Sequence, residues 1–69
     1  LIYPNPSNDH LVFPFEGYQS VEIYNVEGKK VIHSQIQGSQ TWNHNLDPGF
    51  YLVKWMNNGF PFQQRLIVR

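Results

Sequence analysis

The 69-residue chain contains no cysteine, which excludes a disulfide staple and any zinc site built on thiolates. It also lacks a surplus of either charge: five Lys/Arg balance five Asp/Glu. Nucleic acid and anionic membrane surfaces select for a basic excess, so neither is expected as the main partner. No apolar run approaches the ~20 residues needed to cross a bilayer, so membrane insertion is not expected. Leu1 runs straight into Tyr3-Pro4-Asn5-Pro6 without the charged and apolar regions of a signal peptide, and no methionine opens the chain, which reads as a piece of something longer. A helical period of useful length is missing too.

Aromatic residues are what the chain has in quantity. Five Phe, four Tyr and two Trp are many for this length, and each can bury roughly 150–250 Å². A domain of about 60 residues buries only roughly 60% of the surface that its unfolded chain exposes, so this bulk must supply the core. Residues 1–69 read as one domain.

Short apolar runs separated by turn residues predict an all-β fold, a small antiparallel β-sandwich of six or seven strands. Leu1–Tyr3 reads as a first strand stopped by Pro4 and Pro6, with Ser7-Asn8-Asp9 as a polar turn. His10–Phe15 alternates, with Leu11, Phe13 and Phe15 on one face. Ser20–Val26 points Val21 and Ile23 one way and Glu22 and Tyr24 the other, and Glu27-Gly28-Lys29 turns it into a hairpin with Lys30–Ile36. Gly38-Ser39-Gln40 is a break, and Thr41–Leu46 is a weaker strand carrying Trp42. Asp47-Pro48-Gly49 has the residues of a type II turn. Phe50–Met56 is the most strand-like segment, Asn57-Asn58-Gly59 is a hairpin turn, and Phe60–Arg69 forms the last strand or pair.

Gly49 and Tyr51 carry the spacing of a tyrosine corner, in which a phenol turns back onto backbone a few residues upstream, and Val53 then points into the core. The alternative is an ordinary hairpin with an incidental Tyr.

A catalytic constellation is hard to assemble from these residues. His10, His33 and His44 share no metal-ligand spacing and read as surface or half-buried side chains. Asp9, Glu16, Glu27 and Asp47 adjoin turns, where carboxylates cap backbone amides. Ser7, Ser20, Ser34 and Ser39 read as turn or strand-end residues. No enzyme, metal or cofactor is expected. Trp42, Trp55, Tyr18 and Tyr24 leave open a sugar-stacking surface of the kind found in small carbohydrate-binding modules, against the simpler use of aromatic bulk to fill a small core. A passive structural module is a further alternative. The end of the chain, Arg65-Leu66-Ile67-Val68-Arg69, reads either as a core strand with cationic gatekeepers or as a free edge offered to a receptor by strand addition.

Taken in order, the segments resemble the type IX secretion C-terminal sorting domains of the Bacteroidetes, also called Por secretion domains. The opening Tyr3-Pro4-Asn5-Pro6-Ser7, the strand Val21-Glu22-Ile23-Tyr24-Asn25 followed by Gly28-Lys29-Lys30-Val31, the block Leu46, Gly49 and Tyr51, and the closing Arg65-Leu66-Ile67-Val68-Arg69 carry the likeness over the whole chain. The resemblance implies an immunoglobulin-like sandwich, acting as a monomer, that labels an N-terminal cargo. It implies passage through the periplasm and recognition by an outer-membrane translocon and a shuttle protein. A sortase-like peptidase usually removes the domain, and the cargo ends on the cell surface or secreted. On this reading Pro48, Gly49 and Tyr51 hold the last strand in register, while Arg65, Leu66, Ile67, Val68 and Arg69 are the part that is read. Backbone edge groups would then give affinity and the cationic ends orientation.

Overall fold

The computed structural model describes all residues from Leu1 to Arg69. It contains six strands and no helix: β1 (His10–Val12), β2 (Tyr18–Asn25), β3 (Lys30–Gln37), β4 (Thr41–Asn43), β5 (Gly49–Asn57) and β6 (Phe60–Val68). Two antiparallel sheets form a sandwich, one ordered β3-β2-β5-β6 and the other the pair β1-β4. The count is the lower of the two expected.

Alternation explains why the sheets close on each other. Val21 and Ile23 of β2, Val53 and Trp55 of β5, and Leu66 and Val68 of β6 point inward at every second position and are buried. Leu11, Phe13 and Phe15 cover them from the other side, as their spacing predicts. Phe13 is the centre of this core, with ring centroids 5.6 Å from Phe15, 6.0 Å from Trp42 and 6.3 Å from Trp55. The edge-on approach of the two indoles suits aromatic quadrupoles.

Turn chemistry is met at two places and altered at a third. Asn58 and Gly59 link β5 to β6 with φ of 53° and 81°, the positive pair that a two-residue hairpin loop demands. Gly28 takes φ 82° in the β2–β3 hairpin, and Val31 is the extra residue of a bulge, since Ile23 pairs with Ile32 and Tyr24 with Lys30. Gly49, by contrast, has φ 158°, nearly extended, where a type II turn needs about +80°. The Pro48-Gly49 step is therefore a bend running straight into β5, and the expected type II turn is absent.

Three expected strands change length. Leu1–Tyr3 makes only one bridge, Tyr3 with Val12, because Pro4 and Pro6 offer no N–H to continue a ladder. The strand expected over His10–Phe15 stops at Val12, before Pro14. Thr41–Leu46 pairs only as far as Asn43. Beyond it the chain leaves the sheet, since the Leu46 amide donates to His44 Nδ1 at 3.2 Å instead of to a neighbouring strand.

Candidate functional site: the last strand and the segment clamped to it

The two groups of residues singled out in the sequence are brought together by pairing. Gly49 lies opposite Val68 and Tyr51 opposite Leu66, so the Pro48-Gly49-x-Tyr51 block directly backs the chain terminus. The Tyr51 hydroxyl donates to the Asp47 carbonyl at 2.6 Å, which is the tyrosine corner, and Val53 is fully buried as that geometry predicts. Burial, with the Asp47 carboxylate nearby, raises the phenol above its usual pKa and keeps it a donor. Pro48 is exposed at the bend. Of the terminal residues, Leu66 and Val68 are core, whereas Arg65, Ile67 and Arg69 face solvent.

The other side of β6 is not a free edge. The segment Ile2–Ser7 lies along its C-terminal half and closes that part with hydrogen bonds from Gln64 to Arg69. Gln64 exchanges a pair of bonds with the Ile2 backbone, 2.8 Å from the Ile2 N–H to Oε1 and 3.1 Å from Nε2 to the Ile2 carbonyl. The Asn5 side chain then acts as a substitute peptide: Nδ2 donates to the Arg65 carbonyl at 2.9 Å and Oδ1 accepts from the Ile67 N–H at 3.0 Å. Ser7 continues with true backbone bonds, its N–H to the Ile67 carbonyl and its carbonyl from the Arg69 N–H, both 2.8 Å. Of the two readings of Arg65–Arg69, the free edge is thus corrected to a covered one, and the core strand with cationic flanks agrees with the burial of Leu66 and Val68. The outward-facing groups left free lie further back, around Gln63, where Pro61 removes one donor from the edge.

This geometry gives Tyr3-Pro4-Asn5-Pro6-Ser7 a physical reason. Proline on each side of Asn5 prevents the segment from laddering as a strand, so a side-chain amide must do the pairing that the backbone cannot. By local pattern alone the segment is a strand stop and a polar turn, and nothing in that pattern marks the pairing of Asn5, Ser7 and Gln64. The available signal was an amide residue between two prolines, with backbone groups that had to find partners somewhere.

Ser7 is fully buried, not a turn residue, and His44 is buried beside it, where a surface or half-buried side chain is expected. His44 Nδ1 accepts from the Leu46 amide, so the proton sits on Nε2, which donates to Ser7 Oγ at 2.9 Å. Ser7 Oγ in turn donates to the His10 carbonyl at 2.7 Å. Every member of this chain is satisfied only when His44 is neutral. Burial lowers the His44 pKa below its ordinary 6.5, with His10 adding to the shift and Asp9 opposing it. A depressed folded-state pKa means that the unfolded chain takes up the proton first. Stability from this site is therefore complete above about pH 6.5 and is lost as pH falls from there through the folded-state value. Urea midpoints should drop across that interval in the parent protein and much less in His44→Gln, and equal slopes would remove His44 as the cause.

The remaining candidates are used elsewhere. His33 is exposed and bonds Ser20 Oγ at 3.0 Å, and His10 pairs with Asp9 at 3.0 Å. Glu22 is held below the usual carboxylate range by hydrogen bonds from Lys30, at 2.8 Å, and from the Tyr24 hydroxyl, at 2.9 Å. Of the aromatics that left sugar stacking open, Trp55 is buried, and Trp42 packs against Phe13 and is only partly exposed. Tyr24 is half-buried with its hydroxyl committed to Glu22, and Tyr18 alone is largely exposed.

No curated protein matches the chain as a relative. Among known families, residues 1–69 match the Secretion system C-terminal sorting domain, which is a signal for type IX secretion and not an enzyme family. The chain belongs to the family of secretion-system C-terminal sorting domains.

Proposed function

We propose that these 69 residues act as one unit at the C-terminus of a cargo protein and direct it from the periplasm across the outer membrane. The translocon and its shuttle protein read the unit, and a sortase-like peptidase then removes it. The cargo ends on the cell surface or in the medium, in keeping with the export role of the family. The family match over residues 1–69 is the observation that carries this reading.

Within the unit, the Pro48-Gly49-x-Tyr51 block serves to hold β6 in register, and Arg65 to Arg69 serve as the part that is read. The chain has no work to do beyond presenting a folded surface. Leu66 and Val68 anchor the strand in the core, which leaves recognition to the side chains of Arg65, Ile67 and Arg69.

The test is a periplasmic reporter carrying residues 1–69 at its C-terminus, in a type IX-competent host and in a translocon-deficient one. Surface or medium appearance only in the competent host is the expected result, and retention of the folded fusion in both refutes the reading. Tyr51→Phe separates the two roles within the unit. It should lower stability by about 1 kcal/mol for the one lost hydrogen bond and leave export at reduced temperature largely intact. Loss of export in a stably folded Tyr51→Phe fusion would move the phenol from scaffold to read surface.

A further inference from the structure

The outer face of the four-stranded sheet carries an apolar strip, next to the chain terminus, that the core does not use. Register sets Phe50 opposite Ile67 and Leu52 opposite Arg65, and directly opposed residues point to the same side of a sheet. Their chain neighbours Val53, Leu66 and Val68 are buried, so these rows point to solvent. Phe50 is 65% exposed and Ile67 38%. A cysteine-free domain of this size has every reason to bury a Phe, and this one is left outside. Around it lies a shallow depression of about 300 Å³, lined by Asn25, Val26, Phe50, Leu52 and Arg65 among others.

The charge on the same face is one-sided. Arg65 and Arg69 flank Ile67, and neither takes part in the two ion pairs of the molecule, His10–Asp9 and Lys30–Glu22. Lys54, one row further on, lies 5.0 Å from the centre of the Tyr24 ring and has no carboxylate partner. Glu22 is the only carboxylate within the strands of this sheet, and Lys30 occupies it. Apolar surface with unpaired guanidinium groups at its rim is the composition of interface centres, where aromatic side chains and Arg carry most of the binding energy.

We infer that the sorting signal is read through this face: Phe50, Leu52 and Ile67 dock on an apolar partner surface whose carboxylates pair with Arg65 and Arg69. The inference rests on the sorting function proposed above and replaces strand addition with side-chain recognition. The backbone edge of Arg65–Arg69 is already taken by Asn5 and Ser7, so a partner that leaves the fold intact meets side chains first. The partner is an acidic protein surface of the export machinery, because the free cations of the face call for carboxylates and rim charges of opposite sign guide encounter.

The experiment is export of the full reporter fusion in the competent host, comparing the parent with Phe50→Ser, Arg65→Glu, Ile67→Glu and, on the far strand of the same face, Gln35→Glu. Intact accumulation of each fusion in the translocon-deficient host establishes folding. Phe50→Ser touches no core residue and remains informative should Ile67→Glu disturb β6. Expected is a loss of export of at least ~tenfold for the first three, the size of a lost interface anchor, with Gln35→Glu unchanged. Parent-like export of folded Phe50→Ser and Arg65→Glu overturns the inference while leaving the sorting function standing. An equal loss in Gln35→Glu overturns the location, since a general charge effect would then suffice. Failure of the parent fusion to leave the competent host defeats the sorting function itself, and the inference falls with it.

Discussion

Phe13→Ala is expected to remove about a third or more of the domain's stability, and all of it at the lower end of the range for a chain of this length. Phe13 is wholly buried and touches the rings of Phe15, Trp42 and Trp55, so its loss opens a cavity between the two sheets that neither can collapse to fill. Such truncations cost about 3–5 kcal/mol. A chain of this length has a total stability of roughly 3–10 kcal/mol, at about 0.05–0.15 kcal/mol per residue, and no disulfide to fall back on. Phe50→Ala is the paired control: it removes the same side chain from an exposed position and should change stability by no more than about 0.5 kcal/mol. Urea unfolding followed by Trp fluorescence reads both, and a cooperative transition retained in Phe13→Ala near the parent midpoint would contradict this account of the core.

Gly38→Ala should come next in severity, although alanine is the smallest addition possible. A Cβ at Gly38 would fall within the van der Waals envelope of the Phe15 carbonyl oxygen and against the Phe15 ring. The carbonyl belongs to backbone that is itself fixed, since Gly38 N–H donates to Gly17 O at 2.9 Å and Ser39 N–H to Phe13 O at 2.9 Å. Relief requires moving the crossing between the sheets. Overpacking usually costs about 1–3 kcal/mol, and the upper end or beyond is expected when backbone must give way. Gly28→Ala and Gly59→Ala meet nothing within 4 Å and suffer only from positive φ, a penalty of about 1–2 kcal/mol each. Midpoints ranked in the opposite order would show that conformation, not close approach, governs the glycines.

These two positions show where reading the chain succeeds and where it stops. Phe13 was legible because alternation with Leu11 and Phe15 is a property of consecutive residues, and the same holds for Val21, Ile23 and the Asn58-Gly59 hairpin. Gly38 read only as a break, because its constraint comes from Phe15, which reaches it through another part of the fold. Gly49 has the residue type of a type II turn corner, and the pairing of β5 draws it out into the strand instead.

The site divides in the same way. The likeness of four short segments to a known family and the Gly49–Tyr51 spacing were enough to point to the terminal strand and to the tyrosine corner behind it. They did not reveal that Asn5 closes the outer edge of that strand, that Ser7 and His44 are buried together, or that Phe50 stands beside Ile67. Asn5 and Ile67 are 62 residues apart, and Ser7 and His44 are 37 apart.

The sequence by itself determined the class of fold, the inward faces of the long strands, two hairpins and membership of the sorting family, since each depends on residues close along the chain or on their order. Tertiary structure alone decided which backbone edges remain free, which polar groups are buried and which apolar side chains are left outside. Those outcomes depend on which distant segments meet, and the first and last residues of this chain meet in one seam, where a side-chain amide takes the place of a strand.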